Sequence, residues 1–501
     1  MKRITCLSVL LICMVVITTR CSKDYLNLAP NNVLTLDNYY QTQDDAIAAV
    51  NATYSPIQGI YNGAAWHIGD IMSDITDLGG GGGGDGLETA ELDNFTLTSF
   101  NPIVKIMWTQ CYLGIQRANI VLDKIPGIAT MSPSIRTRCL GEARFLRGFY
   151  YFQLVRLFGD VPFYTTPITV EASKSITRTP ASDVYNQVIE DLKLAGDSLP
   201  AKYTGTDVGR ATAGAAKGML ASVYLTLGDK TNAAAIAMQV IQSNSYSLWA
   251  DYGDNFKLEN ENGKESLFEV QYRNSGGCFC DYGQGQKLNC FFAPRSQNLV
   301  QNSGYGWNVP TINFVDTYER TIPGDPSSII DKRRPSSMWM PGDVYNDYTQ
   351  PDQLIGSPNG FNIRKYFVPG SNANADADGW SCALNVKVMR YSEVLLIYAE
   401  AAGFAAGKSY IDQVRQRAGL APLPAALSEA QYLEAIYKER EIEFAFEMHR
   451  WYDLLRHPDT SYFLTVMRAS GKTNIQAFHR LMPIPQSERD INPNLTQNPG
   501  Y

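Results

Sequence analysis

The stretch AQYLEAIYKEREIEFAFEMHRWYDLLRH, residues 430–457, decides the fold class. Leu433, Ile436, Tyr437, Phe444, Met448, Trp451 and Leu455 recur at steps of three and four, which puts them on one apolar stripe of a helix. Pro458 ends it, because proline cannot continue the backbone ladder. The spacing predicts a single amphipathic helix over 430–457. Arg440 falls on the stripe and Glu447 on it or at its edge. Glu443 lies three residues past Arg440, and Asp453 three from both Arg450 and Arg456. Those steps let opposite charges meet on one helix. An unpaired buried charge is very costly, so Arg440, Glu443, Glu447, Arg450 and Asp453 are expected to form structural ion pairs. A catalytic carboxylate pair of the glycosidase kind is the sharper reading of these acids. It is the weaker one, because each acid has an arginine within one helical turn.

Other helices surround this one. Stripes predict helices over 108–124, 142–158, 183–194, 388–402 and 409–417, and a first one through 44–54 capped by Thr35 or Asp37. Residues 209–246 carry the spacing of a tetratricopeptide helix pair. Leu220, Ala221, Tyr224, Ala233, Ala237 and Val240 fill its packing places, and Gly228-Asp229 makes the turn. One such unit cannot bury its own face, so it must stack on other helix pairs. The fold expected is mainly α, a right-handed tetratricopeptide-like scaffold with a few short strands.

Between 251 and 385 the periodicity fades and Gly, Pro, Asn and Asp rise. Residues 266–272 read as a strand. The segment is rich in Trp and Tyr and is expected to project from the scaffold as a loop-rich binding insert. The domain reading is 1–20 signal peptide, 21–250 N-terminal helices, 251–385 binding insert and 386–501 C-terminal helices completing the scaffold. Asn374, Asp376 and Asp378 match the first half of an EF-hand calcium loop, but the closing Glu is absent. A solvated polar turn is the preferred reading. Cys278, Cys280 and Cys290 lack a neighbouring His and zinc-module spacing, and in an exported chain a disulfide among them is open. The run Gly79–Gly84 has no Gly-Lys-Ser/Thr after it and reads as a mobile loop, not a phosphate cradle.

Lys2 and Arg3 precede an apolar run too short to span a bilayer comfortably, and Cys21 follows. This suggests a lipoprotein signal with Cys21 as the acylated first residue. Arg20 departs from the small residue usual at that place, and an ordinary secretory signal is the alternative. Hydrophobic content of 45% against 19% charged describes a globular chain, and a net charge of -7 argues against nucleic acid as a partner.

The residues also carry a family resemblance along nearly the whole chain. The anchors run from Cys21-Ser-Lys-Asp-Tyr-Leu through Ile115-Gln-Arg-Ala-Asn119, Gly141-Glu-Ala-Arg-Phe-Leu-Arg147 and Phe158-Gly-Asp-Val-Pro162. They continue with Arg390-Tyr-Ser-Glu393, Val414-Arg-Gln-Arg-Ala-Gly419, Glu439-Arg440, Arg450-Trp-Tyr-Asp453 and Pro483-Ile-Pro485. Each piece is weak alone, and in this order they are very specific. The chain resembles the SusD/RagB family of outer-membrane nutrient-binding lipoproteins. The resemblance implies a non-enzymatic, surface-exposed protein, lipid-anchored at Cys21 in the cell outer membrane. It implies delivery of nutrient, most often glycan, to a partner TonB-dependent transporter of the SusC type, without a cofactor. Some relatives serve peptide uptake. The shared motifs are scaffold motifs, so no ligand contact is carried over by matching.

Ligand contacts are therefore argued from chemistry. Sugar rings stack apolar faces on Trp and Tyr, and their hydroxyls need amide, carboxylate or guanidinium partners. Trp307, Tyr305, Asn308, Trp339, Tyr345 and Trp66 are the expected binding residues, with the loop at 79–86 as a lid. Trp307 comes first, because Gly304 and Gly306 free its loop to expose a ring. Two other classes compete. A peptide-binding uptake protein shares the scaffold. An exported glycoside hydrolase would need no local motif, although no Gly-x-Ser-x-Gly or His-Glu-x-x-His occurs and only four His are present.

Overall fold

The computed structural model describes residues 39–274, 284–300, 304–369 and 381–501. Cys21, Cys278, Cys280, Asn374, Asp376 and Asp378 lie outside the described residues, as do Thr35 and Asp37. Helix α1 spans Gln43–Gly63, and Thr42 caps it in a reciprocal capping box with Asp45. Helices α2 (Pro102–Lys124), α3 (Pro133–Phe158) and α4 (Ala181–Ser198) follow. The repeat-like pair is α5 (Ala213–Thr226) and α6 (Lys230–Gln242). Each of these helices packs on the next, and α6 packs on α7 (Tyr391–Arg417), which packs on α8 (Glu429–Glu443). Small residues set the spacing. A Cβ on Gly114 of α2 would lie 2.1 Å from the Tyr150 ring of α3.

The motifs that carry the resemblance act as staples between these helices. Arg147 of α3 grips Asp191 of α4 through two N–H groups (2.8 and 2.7 Å) and donates to Asn119 of α2 (2.9 Å). Buried Glu142 accepts from the Tyr54 hydroxyl (2.8 Å) and pairs with Arg210 (3.1 Å). Gly403 (φ 73°, ψ 177°) interrupts α7, where two separate helices were expected.

Residues 430–457 do not form one helix. Helix α8 stops at Glu443, a turn occupies 444–448, and α9 spans Arg450–Arg456. Phe446 (φ 65°) and Met448 (φ 67°) take left-handed backbone there, which costs energy for residues with side chains. The surroundings hold that strain in place by capturing groups released from the helix. The Tyr252 hydroxyl and Arg390 Nη2 donate to the Glu443 carbonyl (2.8 and 2.9 Å), and the Tyr366 hydroxyl donates to the Phe446 carbonyl (2.8 Å). The Asp70 carboxyl group accepts from the Met448 N–H (3.0 Å). All of these are freed helix-end or turn groups that would otherwise be orphaned in the interior.

The ion pairs exist; Asp453 keeps its expected helical neighbour Arg456, and the other partners differ from those expected. Glu443 faces Arg390 (2.8 Å), Arg333 (3.1 Å) and Arg417, not Arg440. Arg440 pairs with Asp453 (2.9 Å), which also holds Arg456 (2.8 Å). Arg450 pairs with Asp74 (2.7 Å) and Glu441 (3.1 Å), not Asp453. Glu447 holds Arg390 (2.7 Å) and Lys365 (2.9 Å). Arg440 and Glu443 both lie within α8, so charges from elsewhere in the chain, and not the break, draw them apart.

The insert does not stand off from the scaffold. Strand β2 (Ser266–Val270) pairs antiparallel with β4 (Val386–Arg390), which leads directly into α7. Strand β1 (Thr76–Leu78) pairs antiparallel with β3 (Asn308–Pro310), tying the insert to the N-terminal part. One buried apolar cluster contains Ile57, Trp66, Phe149, Phe291, Phe314, Met338, Trp451 and Leu495, so scaffold and insert share a core. Among the described residues no helix is long and apolar enough to cross a membrane.

Candidate functional site

The pairing of β1 with β3 sets Leu78 opposite Asn308, and so brings the glycine run beside Trp307. The Gly79 N–H donates to the Trp307 carbonyl (3.1 Å). A Cβ on Gly79 would lie 2.0 Å from the Gly306 carbonyl oxygen, and one on Gly356 (φ 76°) 2.0 Å from that of Gly80. The glycines therefore permit close backbone contact, and the run reads differently from a free mobile loop. Asp85, just past it, accepts from the Gly81 N–H (2.7 Å), pairs with Arg295, and accepts from Trp307 Nε1 (3.2 Å). The Arg295 hydrogen bond holds the Asp85 carboxyl below the usual carboxylate range, against the small opposing effect of burial.

Trp307 is half-buried, with its ring 4.7 Å from Phe291 and 5.0 Å from Tyr305. It lines an open cleft of about 340 Å³ whose opposite walls come from the start of α2, the end of α1 and the short helix Leu87–Asp93. Trp66 and His67 form the floor, stacked at 3.5 Å. Trp66 is 1% exposed, and its Nε1 has no hydrogen-bond partner among the described residues. Burial pushes the His67 imidazole down to about 3, so it is neutral. Exposed Glu88 stands at the rim, and buried Thr89 and Lys287 contribute to the wall. The arrangement offers one flat aromatic face, an ordered carboxylate beside it, and mixed polar groups around an apolar floor. That suits a ligand with one apolar face and a ring of hydroxyls.

The six expected contacts divide. Trp307 lines this cleft; Tyr305, half-buried with its ring 5.0 Å from Trp307, does not line it. Trp66 lies beneath it, as floor. Asn308 is buried, and its side chain donates to Asp70 (3.4 Å), because strand pairing turns it inward. Trp339 is 0% exposed. Phe367 at 5.3 Å, Tyr348 at 6.0 Å and the Arg364 guanidinium 4.0 Å above its ring enclose it. It supports a small hairpin, Val344–Tyr345 with Tyr348–Thr349, and presents no ring to solvent. Tyr345 is half-buried against Phe367 (5.2 Å) and does not line the Trp307 cleft. The sequence reading missed Asp85 and Arg295 as the pair that fixes Trp307. They are 210 residues apart, and no local pattern links them.

Comparison with known proteins agrees with this architecture. A family model described as "SusD family" matches residues 264–501, and one described as "Starch-binding associating with outer membrane" matches 85–225. SusD-like protein P2 of Formosa agariphila is 30% identical over 94% of this chain and 95% of its own length. Starch-binding protein SusD of Bacteroides thetaiotaomicron is 25% identical, over 83% of this chain and 82% of that protein. A solved laminarin-binding SusD-like protein superimposes with a TM-score of 0.80 at 27% identity, covering 92% of this chain and all of that one. The helical stack, the stapling motifs and these matches over most of the chain's length agree: the chain belongs to the SusD family.

Proposed function

We propose that this chain is a non-catalytic glycan-binding protein of the outer membrane that holds an oligosaccharide on Trp307 and passes it to a TonB-dependent transporter. The half-exposed Trp307 ring, fixed by Asp85 and backed by Tyr305 and Phe291 on an open cleft, carries the binding reading. The printed names of relatives, one laminarin-binding and one starch-binding, favour glycan over peptide. The description of the matching family model favours outer-membrane association. Attachment through a lipid on Cys21, and exposure at the cell surface, rest on the sequence. Two features of the cleft speak for binding over hydrolysis. A glycosidase needs a carboxylic acid with a raised pKa, and Asp85 is held low. His67 is buried and neutral beneath Trp66, not poised as a base at the surface.

The test is a glycan and peptide array probed with the chain lacking residues 1–21, followed by calorimetric titration with laminarin and soluble starch. Saturable glycan binding that weakens in Trp307→Ala is expected. Preference for peptides, or release of reducing sugar from a bound glycan, would overturn the reading. Cys21→Ala is expected to leave the membrane fraction, and its persistence there without the transporter would remove the lipid anchor from the proposal.

A further inference from the structure

A second cleft, of about 500 Å³, lies between the C-terminal end of α3, the start of α4, helix α9 and the segment around 477–499. Arg156, Arg456 and Arg480 line it, and no aspartate or glutamate does. That is unusual in a chain of net charge -7. Arg456 is neutralised from behind, where Glu400 takes Nη1 (2.6 Å) and Asp453 takes Nε (2.8 Å). Its side chain is 7% exposed, and Nη2 has no hydrogen-bond partner among the described residues. Arg156 lies 3.5 Å above the Tyr452 ring, and its Nη2 donates to Gln153 (2.6 Å). Its Nε has no partner, and among the described residues no carboxylate forms an ion pair with it. Arg480 donates to the Leu455 carbonyl (2.7 Å) and the Thr460 carbonyl (3.3 Å), and likewise has no carboxylate partner among the described residues. Burial pushes its guanidinium below the ordinary range.

Two guanidinium groups with no ion-pair partner among the described residues, and a third neutralised from behind, thus line one partly desolvated space. Uncompensated charge in such a space is costly, and an entering oxyanion would relieve it. Guanidinium matches carboxylate and sulfate oxygens in a planar fork. Tyr452, Tyr185 and Phe478 supply apolar walls for the body of a ligand. The volume falls within the range of small-molecule sites, roughly 300–1,000 Å³. Ala477 and Pro499 on its margin are exposed, so the cleft is open.

We propose that this cleft is a second ligand site, taking a sugar-sized molecule that carries one oxyanion, either a carboxylate or a sulfate ester. It shares no residue with the Trp307 cleft, so it stands or falls apart from the glycan reading.

The test is calorimetric titration of the chain lacking residues 1–21 with glucuronate, glucose 6-sulfate and glucose. At least one acid is expected to bind saturably where glucose does not, and the arm that saturates tells carboxylate from sulfate. Arg480→Gln is expected to weaken that binding tenfold or more, and Trp307→Ala to leave it unchanged. Arg156→Gln should weaken it equally. If removing that stacked cation unfolds the chain, Arg480→Gln decides alone, with a thermal shift of the wild type by the acid and not by glucose as a readout that needs no variant. Silence from both acids, equal binding of glucose, or an affinity untouched in Arg480→Gln would overturn the proposal.

Discussion

The lattice around Glu443 and the cleft around Trp307 use the same residue types, arginine, acid and aromatic ring, in opposite ways. In the lattice Arg333, Arg390, Glu265, Glu443 and Glu447 are all buried, and each faces several opposite charges. In the cleft a single pair, Asp85 with Arg295, sits near the surface and is used to orient a ring that solvent still reaches. What separates framework from site is therefore which groups remain unspent after the protein has satisfied itself. A lattice whose charges answer one another in the interior can only hold the fold together. An ordered ring with one free face can hold something else.

The largest expected effect breaks the lattice. Arg390→Ala leaves Glu443, Glu447 and Glu265 short of a partner in the interior, at a cost of about 3–5 kcal/mol. Urea unfolding measures it, and a midpoint equal to the wild type would show that these pairs contribute no net stability. Arg440→Ala, which deprives Asp453 of one of its two arginines, should cost somewhat less, on the order of 3 kcal/mol.

The lattice also sets a pH profile. Burial would raise the Glu443 carboxyl, but Arg417, Arg390 and Arg333 outweigh it and hold it below the ordinary range. Glu447 is held low against burial in the same way, by Arg390 and Lys365. A depressed carboxyl contributes stability that is present above its unfolded pKa, roughly 4.3, and lost as pH falls through the folded value. Asp70 and Glu441 act the other way, because burial pushes them up to about 8 and about 7. Their contribution is present at low pH and lost as pH rises through those values. Stability is therefore expected to peak at mildly acidic pH and decline on both sides, as read from thermal melts. In Arg390→Ala the acid limb should be shallower, because Glu443 and Glu447 are then held less far below their unfolded values.

Two tryptophans sharpen the contrast. Trp339→Ala empties a fully enclosed site and is expected to cost about 3–5 kcal/mol of stability. Trp307→Ala removes a half-exposed ring and is expected to cost glycan affinity instead, on the order of 1–3 kcal/mol, with a much smaller change in melting. Calorimetry and melting of both variants give a two-by-two comparison. If Trp307→Ala unfolds the chain, or binds as tightly as wild type, the ring belongs to the core and not to the site.

These two residues also mark where the sequence was legible. The helical stack was readable because periodicity is local: the stripes of α2, α3 and the α5–α6 pair needed only a few turns of chain. The broken helix at 444–448 was not, because the capturing groups, Tyr252, Tyr366, Arg390 and Asp70, come from elsewhere in the chain. No Gly or Pro in the turn betrays it. For the site, composition could say that aromatic rings and polar groups gather in 251–385, and Gly304 and Gly306 singled out Trp307. It could not say that Trp339, in similar company, faces inward, since flanking Met338 and Met340 fit either orientation. Nor could it see that a β1–β3 pairing delivers Asp85 to Trp307.

The smallest expected effect tests that delivery. Asp85 joins three things: the Trp307 indole N–H, the Arg295 guanidinium and the Gly81 N–H. Asp85→Asn keeps an oxygen acceptor in nearly the same volume but removes the charge that Arg295 answers. The pair is near the surface, where such charges contribute little to stability, so melting should hardly move. The consequence should fall on the indole. Without the ion pair, Trp307 loses the group that fixes its plane, and the ligand must then order the ring as it binds. Ordering a side chain and weakening one hydrogen bond together are worth about 1 kcal/mol, a several-fold loss of affinity. Because the Asp85 carboxyl is held low, wild-type binding should be flat with pH down to the ordinary carboxylate range and weaken only below it. The variant should show no such acid limb. Titrations at neutral pH and below the ordinary carboxylate range, at roughly pH 3, distinguish these outcomes. An Asp85→Asn variant that binds as wild type at both values would mean that the neighbouring rings of Phe291 and Tyr305 hold the indole alone.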